Sequence, residues 1–179
     1  IEKIIRVKAH TLSKDAEQVL SNMSSLPSFY QLYEVTKHED MQFESFEANG
    51  KTLENSFVLY ENLHEMDPDK EVRRAAAKSF YKTLNAYKNT VANEYISELK
   101  KEKMMATMRG YDSVIDYLLD DQDGDRELYD RQIRMLMTDL APHMQRYIKL
   151  LAKEHGISDM QFMDAKINLD PEFEVDMTI

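Results

Sequence analysis

The chain has 179 residues, with 23 Lys plus Arg against 33 Asp plus Glu, for a net charge of −10. That balance argues against a nucleic-acid partner, whose phosphates reward clustered cations. The absence of Cys rules out disulfides and thiolate metal ligands, and no apolar run is long enough to span a membrane.

Only four Gly and four Pro, with abundant Ala, Leu, Met, Glu and Lys, predict an all-α protein long enough to bury a sizeable core. The twelve Met read as flexible core filler rather than a cofactor box. The sequence starts at Ile1, not Met, so a processed chain or a piece of a longer protein is expected. No signal-peptide pattern stands at the start.

In chain order, Ile1, Ile4 and Ile5 mark one face of a helix through Ala9, with Lys3, Arg6 and Lys8 on its solvated side. His10 to Ser13 interrupts it. Ser13 can cap a second helix whose apolar face is Ala16, Val19, Leu20 and Met23. Pro27 can start a third, with Phe29, Leu32, Tyr33 and Thr36 buried. Between Met41 and Leu53 a strand reading competes. Met41 and Phe43 alternate, Phe46 and Ala48 alternate in the opposite phase, and Asn49-Gly50 is a tight-turn signal. A small β-hairpin with a bulge is expected near residues 41–53. Asn55 then opens a short helix with Phe57, Val58, Leu59 and Leu63 facing in, and Asp67-Pro68 stops it.

Asp67 to Tyr111 organises the rest. Asp67 suits an N-cap and Pro68 a first helical position, and no further Pro or Gly occurs until Gly110. Val72, Ala76, Phe80, Leu84, Tyr87, Val91, Tyr95 and Leu99 recur at spacings of three and four. An unbroken helix here would be about 60 Å long at 1.5 Å per residue. The alternative is a break near Thr90 or Lys100-Lys101. A short helix over Tyr111 to Leu119 follows, then an acidic turn from Asp120 to Asp125. A second long helix runs from Arg126 to Glu154, with Tyr129, Ile133, Leu136, Met137, Leu140, Met144, Tyr147, Ile148 and Leu151 on one stripe. Pro142 inside it predicts a kink, and Gly156 is a suitable C′ residue. Asp164 to Ile179 has no helical stripe and reads as an extended connection. The expected architecture is a helical bundle on one or two long helices, a single helical domain over 1–179, with no internal repeat.

Local signals for chemistry are weak. His38-Glu39 and His64-Glu65 resemble the start of H-E-x-x-H, in which two His one turn apart hold a metal while Glu activates water. Positions Gln42 and Pro68 stand where the second His would be. His10, His38, His64, His143 and His155 cannot share one helix face, so surface or hydrogen-bonded imidazoles are expected. Asp121-Gln122-Asp123-Gly124-Asp125 resembles a calcium loop, but Gly124 at the sixth position puts Leu119 at the first, where an oxygen ligand is needed. A solvated turn capping the next helix is the better reading. There is no G-x-S-x-G and no phosphate-binding Gly loop.

The order of several stretches carries a resemblance. They are Ala9-His10-Thr11-Leu12-Ser13 with Glu17, Val19 and Leu20; Asn49-Gly50-Lys51; Asp67 to Arg74 with its Val72-Arg73 pair; Met108-Arg109-Gly110-Tyr111-Asp112-Ser113; Val114 to Leu119; Tyr129 and Ile133; Arg146-Tyr147 with Leu150; and Met163-Asp164. Together they resemble the helical, non-catalytic region of oligoendopeptidase F, in the thimet-oligopeptidase superfamily of zinc peptidases. The resemblance covers nearly the whole chain. It implies a mostly helical fold with a deep channel, in which zinc held by H-E-x-x-H and a downstream Glu activates water to cleave short peptides. This sequence lacks H-E-x-x-H, so no catalytic or metal-binding residue carries over. What the resemblance implies is a segment forming a wall of the substrate channel, inactive and zinc-free alone, whose residues 164–179 lead as a linker towards the missing catalytic domain. The partners would be that domain and short peptides, and the location cytoplasmic. Arg109 and Tyr111 are the candidates for substrate contact, against a packing and capping role around Gly110. The alternative is a free-standing acidic helical protein–protein interaction module that holds a partner helix in a groove. Composition alone supports no more than a structural helical domain.

Overall fold

The computed structural model describes residues 2–170 and residue 173, with side chains from Ile5 onward. The face read on Ile1, Lys3 and Ile4, and most of the expected linker beyond Asp170, lie outside the described residues. The helices are α1 (Glu2–Ala9), α2 (Lys14–Met23), α3 (Phe29–Val35), α4 (Phe57–Asn62), α5 (Lys70–Met108), α6 (Val114–Asp121), α7 (Arg126–Met135) and α8 (Ala141–Glu154). One antiparallel pair, β1 (Phe46–Ala48) and β2 (Lys51–Leu53), is the small sheet. The all-α fold with a hairpin is therefore as expected. No helix among the described residues is long and apolar enough to cross a membrane. The chain divides into two compact units. Unit 1 is Ile1–Thr36 with Asn89–Asp139, and unit 2 is Lys37–Lys88 with Leu140–Ile179.

α5 is unbroken over 39 residues, about 58 Å at 1.5 Å per residue. Its start differs from expectation. The capping carboxylate is Asp69, which accepts from the backbone N–H of Glu71 at 2.7 Å and of Val72 at 3.3 Å. Asp67 instead accepts from the N–H of Asp69 at 2.8 Å, so Asp67 and Pro68 form the turn before the helix. The end is a Schellman closure. Gly110 has φ +73°, its N–H reaches Thr107 O at 3.2 Å, and the N–H of Tyr111 reaches Ala106 O at 2.9 Å.

In unit 2 the core sits where the hairpin and α4 meet the first turns of α5. Ala76 and Ala77 are fully buried, and Phe46, Ala48, Tyr60, Val72 and Phe80 close around them. Alanine at those two positions lets the neighbouring backbone come close: the Asn55 amide donates to Ala76 O at 3.0 Å. Phe80 is the hub of the rings. It stacks on Tyr60 at 4.1 Å and on Phe43 at 5.2 Å and takes Phe57 edge-on at 5.0 Å. The hairpin ladder pairs Phe46 with Leu53, Glu47 with Thr52 and Ala48 with Lys51, one for one, so the expected bulge is absent. Its turn has φ +51° at Asn49 and +71° at Gly50, which suits the twist of a two-residue hairpin. α4 is capped by Ser56, one residue later than expected. Its buried residue is Tyr60, while Val58 and Leu63 are exposed, contrary to the inward face read from the sequence. A second cluster joins Leu151 of α8 to Ile157 and Ile167. Gly156, φ +62°, closes α8 as expected.

In unit 1, α2 is capped by Ser13 as expected. α3 starts at Phe29 under a Ser28 capping box, so Pro27 precedes it rather than opening it. Leu32, expected inward, is exposed. Arg6, expected on a solvated face, pairs with Asp120 and Asp123. Asp125 caps α7 through the N–H groups of Glu127 and Leu128. The interruption expected at Pro142 takes the form of a π turn just ahead of it, Leu136–Leu140. Among the described residues of unit 1, Ala106 is the only apolar side chain that is buried.

Candidate functional site

Arg109 and Tyr111 flank Gly110, and the closure at that glycine sets their directions. The Arg109 guanidinium grips Glu17 of α2 bidentately, Nη1 to Oε1 at 2.8 Å and Nη2 to Oε2 at 3.0 Å. Nη1 also donates to His10 O at 3.1 Å. Glu17 accepts in addition from the N–H of Leu12 at 2.9 Å. Arg109 and that N–H hold the Glu17 carboxyl below the usual carboxylate range. In return Glu17 raises the Arg109 guanidinium further above its ordinary value.

His10 is locked from both sides. Its Nδ1 lies 2.8 Å from Arg109 O, and because a carbonyl only accepts, that nitrogen carries the proton. Its ring stacks on Tyr111 at 3.7 Å between centroids, with 14° between planes. The Tyr111 hydroxyl donates to Asp120 Oδ2 at 2.6 Å. Burial, reinforced by Asp120, pushes the Tyr111 phenol up to about 12. Tyr117 lies edge-on to Tyr111 at 5.4 Å and is raised by its own burial. These groups line a cavity of about 410 Å³ between the ends of α1, α2, α5 and α6. The structure thus brings both expected contact residues to one pocket. Within it, the Arg109 charge and the Tyr111 hydroxyl are both engaged by partners of the same unit.

A second charged constellation was not legible in advance. In unit 2 Arg73 and Asp164 are almost completely buried, 1% and 0% exposed, and are joined by Nη2 to Oδ1 at 3.0 Å and Nε to Oδ1 at 3.2 Å. Arg73 Nη1 donates to Asp67 O at 2.7 Å and Pro68 O at 2.9 Å, tying down the turn before α5. Arg74 bridges Asp164 Oδ2 at 2.7 Å and Asp159 Oδ2 at 2.6 Å. Burial pushes the Asp164 carboxyl up, but Arg74, the Gln161 N–H and Arg73 outweigh it, and it ends below its ordinary value. Both members sit in stretches that carry the family resemblance. Asp164, where the expected linker begins, is buried and paired with Arg73, and Ile167 beyond it is buried as well.

Among the described residues no group of three or more His, Cys, Asp or Glu is placed to hold a metal ion. The imidazoles have other occupations. His64 Nε2 donates to Glu54 O at 2.9 Å, His155 Nε2 to Asn168 O at 2.8 Å, and His143 contacts Arg146 at 2.8 Å.

The sequence model of peptidase family M3 matches residues 63–175. This chain belongs to peptidase family M3. An oligoendopeptidase F homolog of Borreliella burgdorferi is 30% identical over 86% of this chain and 25% of its own length. Oligopeptidase PepF of Bacillus subtilis is 28% identical over 92% of this chain and 24% of its own length. The crystal structure of oligoendopeptidase-F from Enterococcus faecium superposes with a TM-score of 0.85 at 23% identity, covering 94% of this chain and 33% of that one. That likeness establishes a shared fold. The M3 chain spans about a quarter of the length of the curated relatives it matches.

Proposed function

We propose that this chain is a non-catalytic helical part of an M3-family zinc oligoendopeptidase and forms a wall of the channel in which short peptides are cleaved. The metal, the water it activates and the residues that hold it belong to a region outside this sequence. A cytoplasmic location and pairing with the catalytic region of the same enzyme are part of the proposal.

One observation carries it. Unit 1 has helices with good caps and amphipathic patterns but almost no interior. Met23, Leu26, Tyr95, Ile96, Leu99, Met104, Leu136 and Met137 stand exposed, with Met137 at 72%. Unit 2 has a core, yet Leu140, just before α8, and Met144 and Leu150 of α8 are also uncovered. A monomeric soluble protein rarely leaves apolar surface on this scale open. Further chain packed on these faces, as the length of the relatives suggests, would give them the cover they lack.

The test compares two proteins. A version of full family length, continuing into H-E-x-x-H, should cleave short peptides, lose that activity to a zinc chelator, and spare folded proteins. The 179-residue chain should cleave neither short peptides nor folded proteins. Zinc-dependent cleavage by the short chain, or equal attack on folded proteins by the long one, would overturn the reading. Peptide contact at Arg109 or Tyr111 is tested in the long protein: Tyr111→Phe raises KM if the phenol touches peptide and leaves KM unchanged if it only braces Asp120.

A further inference from the structure

In unit 2, Asn49-Gly50 closes the hairpin where water reaches it. Both residues are exposed, and no atom lies within 4 Å of where a side chain on Gly50 would begin. An asparagine followed by glycine has a distinctive reactivity. The glycine nitrogen, uncrowded by a Cβ, can attack the preceding side-chain amide, expel ammonia and close a five-membered imide. The fold bears on that reaction in two ways.

Conformation comes first. Asn49 is left-handed, with φ +51°. A left-handed residue sets the following nitrogen anti to its own Cβ, so Gly50 N is turned away from the Asn49 carboxamide. The backbone must leave the turn before the ring can close. An anchor comes second. Asn49 Nδ2 donates to Asp69 Oδ2 at 2.9 Å, and the Asn49 N–H donates to Glu71 Oε1 at 2.8 Å. Asp69 thus serves two elements. Its Oδ1 caps α5 through the N–H groups of Glu71 and Val72, while its Oδ2 holds the hairpin. The Glu71 N–H, the Asn49 amide and the Val72 N–H keep the Asp69 carboxyl below its ordinary value, so it stands ionised beside Asn49.

We infer that Asn49 is a site of spontaneous deamidation, guarded by Asp69, and that the reaction undocks the hairpin from α5. When the turn opens, Gly50 N attacks Asn49 Cγ and gives up its proton to solvent. The Cγ–Nδ2 bond breaks, and the nitrogen takes a proton from solvent and leaves as ammonia. Water then opens the imide, at Cγ to give aspartate or at the main-chain carbonyl to give isoaspartate. One water is consumed and one ammonia released; no oxidant or cofactor is needed. Either product brings a carboxylate to the position from which an amide donated to Asp69, beside a second carboxylate at Glu71. Like charges that close repel. Isoaspartate also adds a methylene to the main chain of a turn whose ladder is paired one for one. Because Phe46 and Ala48 of the hairpin belong to the core around Phe80, loosening the turn reaches the interior. The step runs one way: opening permits it, and its product opposes closing.

The first measurement uses the unmodified 179-residue chain, incubated at neutral pH with and without urea, with the hairpin peptide followed by mass spectrometry. Asn49 should convert in both, at least about tenfold more slowly in the folded chain, because the turn must open first. That comparison stands even if a variant misfolds. Asp69→Asn keeps a capping side chain but removes the acceptor for the Asn49 amide. It should speed the folded reaction about threefold or more, the scale of one exposed hydrogen bond, and leave the rate in urea unchanged. Asn49→Asp reproduces one product and should lower the melting midpoint by about 2–4 °C, the scale of a lost cap in a chain of this size. Combining Asn49→Asp with Asp69→Asn should regain most of that loss, since an amide at position 69 can donate to the new carboxylate. Equal rates with and without urea, no conversion of Asn49 in urea, or no acceleration by Asp69→Asn would overturn the inference. So would an Asn49→Asp midpoint that is unchanged, or one that Asp69→Asn does not raise.

Discussion

Arg73 and Asp164 are 91 residues apart in sequence and meet where both side chains are closed to solvent. Removing one partner of such a pair leaves an uncompensated buried charge, so Asp164→Ala should cost about 3–5 kcal/mol in a urea-unfolding measurement. Asp159→Ala should cost much less, because Asp159 is 55% exposed. The pH dependence has a definite sign. The folded Asp164 carboxyl lies below its ordinary value. Its contribution is therefore complete above the unfolded aspartate value, about 4, and is lost as pH falls through the folded one. Stability should drop below about pH 4, and Asp164→Asn should flatten that acid limb. At the helix end, Gly110→Ala meets no atom within 4 Å but must hold φ +73°. It should lower stability by about 1 kcal/mol through backbone conformation alone. Much at this scale was legible. Ser13, Gly110 and Gly156 act where local rules put them, because a cap is a matter of three or four neighbouring residues. The Arg73–Asp164 pair was not, since nothing local says which of 33 acidic residues a given arginine will meet. The shift of the α5 cap from Asp67 to Asp69 has the same origin: the Arg73 guanidinium claims the carbonyls of Asp67 and Pro68 and fixes them as a turn.

Among elements, α5 shows what periodicity does and does not disclose. The absence of Pro and Gly over Lys70–Met108 made one long helix readable, and it is continuous. An Ala92→Pro substitution tests that continuity. In an unbroken helix it removes a hydrogen bond and should cost about 3 kcal/mol or more, with loss of helical dichroism. In two helices divided near Thr90 it would fall at a tolerated first-turn position. The stripe itself is another matter. Val72, Ala76 and Phe80 are buried, but Tyr95 and Leu99, on the same stripe, are 64% and 47% exposed. The cleanest amphipathic pattern in the chain, from Tyr129 to Leu151, likewise leaves Ile133, Leu136, Met137, Leu140 and Met144 uncovered. A 3.6-residue period states that a face needs cover; it does not state which part of a protein supplies it. The hairpin was legible for a different reason. Asn49-Gly50 dictates its own turn geometry, although the one-for-one ladder shows that the alternation at Met41 and Phe43 belonged to irregular chain rather than to a bulged strand.

On the scale of the molecule, the difference between the units is the central fact. Unit 2 closes around Phe80, Ala76 and Leu151, whereas unit 1 buries little beyond Ala106. Membership of peptidase family M3 and the fourfold greater length of the relatives give that imbalance a meaning under the proposal: the open faces are internal surfaces of a larger enzyme. The 179-residue chain has no Cys, so once any Cys of the longer protein's added region is replaced, single thiols can be placed on those faces without background. The most direct measurement is the rate of thiol labelling at Met137→Cys in unit 1 and Met144→Cys in unit 2, compared between the 179-residue chain and the protein of full family length, with Lys51→Cys on the exposed hairpin as control. The account predicts that both test positions label at least about tenfold more slowly in the longer protein while the control is unchanged, protection being the mark of a face that has become interior. Equal labelling of all three positions in the two proteins would contradict it.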